Sequence, residues 1–349
     1  MSNNNNQDIT VETLAGYLSD AISGFGELQS VDKFSGGQSN PTYKLSTDEK
    51  QYVLRAKPPG DLLKSAHQVD REFKVMHALQ DTDVPVPRML HLADEKDSPF
   101  GRMFFVMEFL DGRILWDPAL SEIEKEDNAQ RTAIYDSMNS ALAALHEVDV
   151  DTVGLSDFGK PGDYFARQLS RWTGQYHASE VDRHENMHQL IEWLEANLPA
   201  DDGQVSLVHG DYRLDNMVFA NDSAEILGIL DWELSTLGHP LADLAYQCMQ
   251  WRLPNAGNFR GLAGVDRNSL GLPTEDEYVA DYCRKRGISE IPNWPFYVAF
   301  SFFRLAAILQ GVYKRSLDGN ASNPEKAKTY GAAVPVLSMM AMSMINEKN

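Results

Sequence analysis

The chain has 349 residues, which is enough for one large domain or for two lobes around a cleft, and its composition of 43% hydrophobic and 23% charged residues is ordinary for a globular protein. Its 31 basic and 51 acidic residues give a formal net charge of −20, which argues against nucleic acid and anionic membrane surfaces as partners. Cys248 and Cys283 are its only cysteines and lie far apart, so neither a disulfide framework nor a cysteine-rich zinc site is expected.

The N-terminal segment and two apolar windows bear on where the chain resides. Residues 1–8 contain no basic region followed by an apolar stretch, so they do not resemble a secretory signal and are expected to be a disordered tail. The windows at 296–309 and 332–345 are interrupted by Arg304 and Pro335, and both are short for a membrane span of ~20 residues. We therefore expect two buried helices, no membrane association and a cytoplasmic protein.

The first third of the chain is rich in predicted strands. A helix is predicted at 8–24, where apolar residues recur every three or four positions. A turn rich in small residues follows, and strands are predicted at 42–46 and 51–55. In the second of these strands, the two-residue alternation places Val53 and Arg55 on the same face.

Beyond these strands the pattern changes to helices. A helix is predicted at 63–79 and a buried strand at 103–110, where an Asp-Gly pair ends it. Further helices are predicted up to His146, at 163–176 and at 184–197. From residue 241 onward the chain is mostly helical.

This distribution predicts an α+β fold with two lobes. The strand-rich N-terminal lobe would cover residues 1–110 and the mainly helical C-terminal lobe residues 111–349. A cleft between two such lobes is a common ligand site. The oligomeric state does not follow from the sequence.

The most informative motif is the octapeptide HGDYRLDN at residues 209–216. A short strand precedes it, and a hairpin predicted at 217–219 and 226–230 leads to Asp231. Asp211 and Asn216 have the spacing of the base and the metal-holding Asn in the HRDxxxxN loop of protein kinases. Asp231 follows the hairpin, at the position where protein kinases have the magnesium-binding Asp of the DFG segment. Two matches in this order indicate phosphoryl transfer from a nucleoside triphosphate.

Each residue of this set has a chemical role and a simpler alternative. Asp211 would orient the attacking hydroxyl and accept its proton, whereas an isolated Asp is often a turn or capping residue. Asn216 and Asp231 would hold Mg²⁺ through oxygen atoms, the ligands a hard cation prefers. The hairpin brings the two together, because residues at its two ends lie side by side. The alternative for Asp231 is again a cap or a turn.

Arg213 and His209 are two further residues of the octapeptide for which the sequence suggests roles. Arg213 would stabilise the charge that develops during transfer, or form an ion pair that positions the loop, and the sequence leaves both open. His209 is expected to brace the loop by hydrogen bonding without touching substrate.

The small-residue turn contains Gly36, Gly37 and Ser39, whose backbone N–H groups would approach phosphate oxygens. A Gly-Gly pair is by itself more often an ordinary hairpin turn. These three residues are nevertheless assigned to nucleotide binding.

Other nucleotide contacts are assigned to the strands and the helix of the first lobe. Arg55 would touch the α- and β-phosphates, and Glu72 on the 63–79 helix would pair with it. The usual alternative for Glu72 is a solvent-exposed helix position. Glu108 and Leu110, between the lobes, would offer backbone N–H and C=O groups to an adenine edge.

The segment HENMH at residues 184–188 matches the HExxH pattern of zinc proteases. It lies in a highly charged stretch, and the apolar face of its helix places both histidines toward the polar side. Since catalytic zinc needs three protein ligands in a closed pocket and no third ligand is evident, a zinc protease is not expected.

Residues 31–313 resemble the aminoglycoside phosphotransferase and choline kinase-like superfamily through the HGDxxxxN loop and the strand that ends in Asp-Trp. The stretches at 34–43, 52–60 and 238–246 look most like the kinase-like domain that is fused to acyl-CoA dehydrogenases in animals and stands alone in bacteria. Arg55 stands where many relatives have Lys, although choline kinase-like members also carry Arg there. Asp243, in the last stretch, is expected to brace the catalytic loop.

The resemblance implies a protein-kinase-like fold, ATP and Mg²⁺ as cofactors, and a small-molecule hydroxyl as acceptor. A hydroxylated acyl-CoA is one possible acceptor. The alternative from another class is a nucleotide-binding pseudokinase or interaction module without turnover. A protein kinase is not expected, because no APE activation segment follows Asp231.

Overall fold

The structure is a computed structural model and describes residues 9–34, 40–60, 68–256, 259–319 and 324–346. In the first part of the chain, two helices flank one antiparallel sheet with the strand order β1-β2-β3-β5-β4. The elements are α1 (Val11–Ala21), β1 (Leu28–Lys33), β2 (Thr42–Thr47), β3 (Gln51–Ala56), α2 (Val69–Leu79), β4 (Met89–Ala93) and β5 (Phe104–Glu108).

The two faces of this sheet belong to different hydrophobic clusters. Leu54 and Val106 pack in a cluster with α1, whereas Val53 and Phe105 belong to the large core that includes α2 and the helical part. This follows from the alternation of side chains along each strand. The same alternation turns Arg55 toward α2, as the sequence predicts.

The rest of the chain is mainly helical and contains two short antiparallel ladders, β6 with β9 and β7 with β8. Its strands are β6 (Ser206–Val208), β7 (Met217–Phe219), β8 (Ile226–Ile229) and β9 (Thr236–Gly238). Its helices are α3 (Asn128–Glu147), α4 (Tyr164–Ser179), α5 (Glu185–Ala196), α6 (Leu241–Cys248), α7 (Arg267–Leu270), α8 (Glu275–Arg286), α9 (Trp294–Leu317) and α10 (Pro324–Asn346).

The chain passes from the sheet to the helical part just after β5. Arg113 and Phe219 exchange two backbone hydrogen bonds of 2.8 Å each, which ties the crossing segment to the edge of β7. A Cβ atom at Gly112 would lie 2.3 Å from the carbonyl oxygen of Phe219. Position 112 therefore requires glycine, because only glycine allows this close approach.

The predicted α+β class, with a strand-rich first part and a helical remainder, is confirmed. β4 was not predicted from the sequence; it lies beside β5 at the edge of the described sheet and has an irregular register between Met89 and His91. A strand of five residues with a mixed burial pattern shows too little alternation of apolar and polar residues to be recognised from the sequence. The lobe boundary at residues 110 and 111 stays a prediction.

The two C-terminal helices are longer than the apolar windows suggested. α9 has 24 residues and α10 has 23, and α10 continues through Pro335. By length and composition, α9 is the one helix in the described part of the chain that could cross a membrane. However, 67% of its most apolar stretch is buried inside the protein. α9 packs against α4, α6 and α10 as a core helix.

Candidate active site

A buried carboxylate of α6 holds residues 209–216, called the catalytic loop below. Asp243 accepts hydrogen bonds from the backbone N–H groups of His209 (2.6 Å) and Gly210 (2.8 Å). Nε2 of His146 on α3 lies 3.5 Å from the same carboxylate. Burial raises the pKa of Asp243, but its hydrogen bonds with the His146 ring and with the N–H of Gly210 lower it further, so that it lies below its ordinary value. Asp243 is therefore ionised and fixes the start of the loop, as predicted.

His209 connects the catalytic loop to the hairpin that follows it. Its Nδ1 accepts a hydrogen bond from the N–H of Asp211 (3.2 Å), and its Nε2 donates to the carbonyl of Leu230 (2.9 Å). These partners assign a neutral imidazole with its proton on Nε2. The ring is fully buried, 4.6 Å from the ring of Trp232. The prediction that His209 braces the loop is confirmed.

Asp211 and Asn216 contact each other directly. Nδ2 of Asn216 donates to the backbone carbonyl of Asp211 (2.9 Å) and to its Oδ2 (3.0 Å). The amide therefore orients the carboxylate that would accept a proton. Because Nδ2 is engaged in this way, Oδ1 is the atom of Asn216 that remains for a cation.

The hairpin of β7 and β8 returns the chain from Asn216 to Asp231. Met217 pairs with Ile229, and the N–H of Leu230 donates to the carbonyl of Asn216 (2.8 Å). Asp231 thus follows the residue that is bonded to Asn216, as the predicted hairpin required. Its backbone is left-handed, with φ 65° and ψ 55°. Such a conformation is strained for a residue other than glycine and often marks a functional site.

Arg55 of β3 contacts three carboxylates from both parts of the chain. Its Nε lies 2.9 Å from Oε2 of Glu72, without the alignment of a hydrogen bond, so this contact is an ion pair. Its Nη2 donates a 2.9 Å hydrogen bond to Oδ1 of Asp231 and lies 3.9 Å from Oε2 of Glu233. The predicted pairing of Arg55 with Glu72 is confirmed. The contacts with Asp231 and Glu233 were not predicted.

The charges of this cluster do not balance. Burial raises the pKa of Glu72 to about 7, and Asp231 and Glu233 add to the rise, whereas Arg55 opposes it. Burial also lowers the pKa of Arg55, but the three carboxylates raise it more, so the guanidinium stays protonated. Three acidic groups face one cation, and the cluster has an excess of negative charge.

The residues present fit a magnesium ion. The carboxylate of Asp231 and the amide oxygen of Asn216 are hard oxygen donors, and the hairpin brings them to the same end. A divalent cation beside Asp231 would also balance the excess negative charge around Arg55. The donor chemistry and the electrostatics thus agree with the sequence-based assignment.

Arg213 forms a bidentate ion pair with Asp215, two positions along the catalytic loop. Of the two roles left open by the sequence, the observed contact is the ion pair that positions the loop. The Arg213 side chain is 41% exposed, so it borders the space in front of the loop. A role in charge stabilisation stays a prediction.

The predicted adenine contacts of Glu108 and Leu110 stay predictions. The N–H of Glu108 donates to the carbonyl of Arg88 (2.9 Å), and its side chain accepts from the N–H of Arg88 (2.7 Å). The N–H of Glu108 is therefore engaged with the segment just before β4. Within the described residues, the backbone groups of Leu110 have no hydrogen-bond partner. Gly36, Gly37 and Ser39 lie outside the described residues.

Two residues near the catalytic loop were not assigned from the sequence. Burial and the charge of Asp211 raise the pKa of Tyr246. The phenol therefore keeps its proton beside the Asp211 carboxylate. Arg304 of α9 is 8% exposed and donates from Nη2 to the carbonyl of Gly210 (2.8 Å). Its one sequence signal was its position as the charge that interrupts an apolar window.

The HENMH segment does not form a protease-type zinc site. His184 precedes α5 as its N-cap residue, and the exposed Glu185 pairs with Arg183 (3.1 Å). His188 is hydrogen-bonded instead to Glu180, a residue outside the motif. The expectation against a zinc protease agrees with this geometry.

Residues 30–278 match the family model described as the phosphotransferase enzyme family, which covers well over half of the chain. The chain belongs to this family. The resemblance stated from the sequence is therefore confirmed. Phosphoryl transfer to small molecules is the chemistry that this family and fold support.

The chain is also similar to individual proteins and to solved structures. It is 48% identical over 318 residues to acyl-CoA dehydrogenase family member 10 of Mus musculus, covering 91% of this chain but only 29% of that protein. A structure from Ralstonia eutropha, provisionally named an aminoglycoside phosphotransferase, is 45% identical with a TM-score of 0.86 and covers 96% of this chain and 98% of its own. Spectinomycin phosphotransferase, solved with ADP and spectinomycin, shares the fold at 13% identity, with a TM-score of 0.64 over 95% and 98% of the two chains.

Proposed function

We propose that the protein transfers the γ-phosphate of ATP to a hydroxyl group of a small molecule in a reaction that requires Mg²⁺. The observation that carries this proposal is the arrangement of Asp211, Asn216 and Asp231 around the β7–β8 hairpin. The family supports the reaction class. A protein of the same fold solved with ADP supports the choice of an adenine nucleotide.

The proposed reaction consists of one proton transfer and the exchange of one phosphorus–oxygen bond for another. Asp211 accepts the proton of the acceptor hydroxyl, whose oxygen forms the new bond to the γ-phosphorus. The bond between that phosphorus and the β–γ bridging oxygen breaks, and ADP leaves with the electron pair. Asn216 holds the Asp211 carboxylate toward the hydroxyl. The proton on Asp211 then returns to solvent.

The triphosphate needs cationic partners in addition to the base. Mg²⁺, held by Asn216 and Asp231, would supply charge neutralisation of the phosphate oxygens. Arg55, positioned by Glu72, reaches the phosphates from the sheet. Because Arg55 is bonded to Asp231 in the present structure, nucleotide binding would exchange this contact for one with phosphate.

The base assignment is tested with Asp211→Ala and the matched control Asp222→Ala, which removes an exposed carboxylate at the tip of the same hairpin. Loss of the base should lower turnover by about 10²–10⁴-fold and leave ATP affinity nearly unchanged. Asp222→Ala should retain wild-type turnover. Turnover is followed as magnesium-dependent ADP release, and ATP affinity by calorimetry.

Wild-type turnover in Asp211→Ala would contradict the base assignment. The absence of magnesium-dependent turnover in the wild-type chain, with ATP binding intact, would favour a nucleotide-binding module without catalysis. The intact set of Asp211, Asn216 and Asp231 argues against that second function, because binding alone needs no base.

The acceptor class has one specific candidate. The mouse relative carries the name of an acyl-CoA dehydrogenase, and this chain matches 29% of its length. Hydroxylated acyl-CoAs are therefore a third class of candidate acceptor, beside free hydroxylated metabolites and antibiotics. ADP release in the presence of panels of these three classes distinguishes them. Equal rates with and without every hydroxyacyl-CoA would exclude that candidate.

A further inference from the structure

Three potential metal ligands lie together where α4 meets α5, outside the candidate active site. His177 is in the last turn of α4, Glu180 caps that helix, and His188 lies near the start of α5. Each offers one ligand atom, and these atoms all lie within 4.8 Å of one another. Within the described part of the chain, this is the one such group of His, Cys, Asp and Glu residues.

Neighbouring side chains already orient this group. Nε2 of His188 and Oε1 of Glu180 are 2.7 Å apart, and the hydroxyl of Tyr176 donates to the same oxygen (3.1 Å). The rings of His177 and His188 lie 5.4 Å apart between centroids. His188 and Glu180 are partly buried, with side-chain exposures of 16% and 20%, whereas His177 is exposed. His188 and Glu180 are therefore held in place by hydrogen bonds, whereas His177 lies at the solvent-exposed side of the group.

The nearby Arg183 does not compete for the carboxylate of Glu180, because its Nε pairs with Oε2 of Glu185 (3.1 Å). The Glu180 carboxylate is instead bonded to His188 and Tyr176.

We propose that His177, Glu180 and His188 form a binding site for a divalent transition-metal ion of the Zn²⁺ type. Two imidazole nitrogens and one carboxylate oxygen are the donors that Zn²⁺ prefers, and three protein ligands leave a fourth position for water. Bonds of about 2.1 Å place ligand atoms about 3.4 Å apart around a tetrahedral ion. Rotation of the exposed His177 side chain, with a small outward shift of His188 from Glu180, produces that spacing.

This site uses only the second histidine of the HENMH segment. The other two ligands come from the helix before it, so the HExxH spacing itself has no part in binding. The ion would join the end of α4 to the beginning of α5. Since the unfolded chain does not hold these ligands together, binding would stabilise the folded state.

The test titrates the chain with Zn²⁺ in the presence of excess Mg²⁺, which competes for the oxygen ligands of the acidic active site. Calorimetry should show one zinc ion per chain, and the melting temperature should rise with zinc concentration. His177→Ala and His188→Ala should each weaken zinc affinity by at least about tenfold, because one of three ligands is lost. His184→Ala is the matched control, since it removes the other histidine of the motif from an N-cap position that makes no side-chain capping bond.

His177→Ala changes an exposed residue, so its melting temperature without zinc should equal that of the wild-type chain and distinguish ligand loss from misfolding. The proposal is overturned if the wild-type chain binds no zinc under these conditions. It is equally overturned if His177→Ala and His184→Ala bind zinc with the same affinity.

Discussion

The carboxyl group of Glu72 makes the stability of the fold depend on pH. Burial raises its pKa from 4.5 to about 7, against the attraction of Arg55. Between these two pH values the unfolded chain has released this proton while the folded chain still holds it. The contribution of Glu72 to stability is therefore fully present below pH 4.5 and is lost as the pH rises through about 7.

Glu72→Gln removes this titration and keeps the shape of the side chain. We expect the free energy of unfolding of the wild-type chain, relative to that of the variant, to fall by roughly 3 kcal/mol between pH 4.5 and pH 8, at 1.36 kcal/mol per pKa unit. Urea denaturation at several pH values measures this difference. Parallel stability curves for the two proteins would contradict the assigned pKa of Glu72.

For individual residues, the sequence predicts those contacts that depend on local spacing along the chain. Strand alternation placed Arg55 toward α2, and the octapeptide predicted the bracing by His209. The hydrogen bond of Arg55 to Asp231 joins residues 176 positions apart, and that of Arg304 to Gly210 spans 94 positions. Such contacts depend on how the two parts of the chain pack, which no local pattern contains.

The catalytic loop depends on a glycine at its second position. Gly210 has φ +84°, and an added Cβ would lie 2.7 Å from the backbone oxygen of Leu234. Backbone atoms cannot move away as a side chain can, so a larger residue would displace the loop and with it Asp211. The loop is also held by Asp243, so its position is set from two sides.

Gly210→Ala tests this constraint against Gly154→Ala, which has φ +73° and no atom within 4 Å of the added Cβ. The left-handed backbone alone costs about 1–2 kcal/mol, and both variants should show that loss of stability. We expect Gly210→Ala to lose more stability and at least about tenfold in turnover, whereas Gly154→Ala keeps its turnover. Equal effects of the two substitutions on turnover would contradict the steric argument.

Among the elements, long periodic helices and the hairpin were predicted well, and the short edge strand was not. The pairing of β7 with β8 followed from two apolar runs around a polar turn. β4 was missed because it is a short edge strand. α10 runs through Pro335, because packing along α9 outweighs one lost helical hydrogen bond.

In the whole molecule, the candidate site forms where the sheet meets the helical part. The sheet and α2 provide Arg55 and Glu72, and the hairpin provides Asn216 and Asp231. The change from a two-residue to a helical period made this two-part organisation predictable. The resemblance named the chemistry, whereas the acidic cluster around Arg55 became visible only in three dimensions.

The most direct test is a crystal structure with a non-hydrolysable ATP analogue and Mn²⁺ in place of Mg²⁺, located by anomalous scattering. We predict a manganese peak coordinated by the amide oxygen of Asn216 and the carboxylate of Asp231, with Arg55 turned from Asp231 to the phosphates. A nucleotide and metal bound away from Asn216 and Asp231 would contradict the proposed phosphotransferase site.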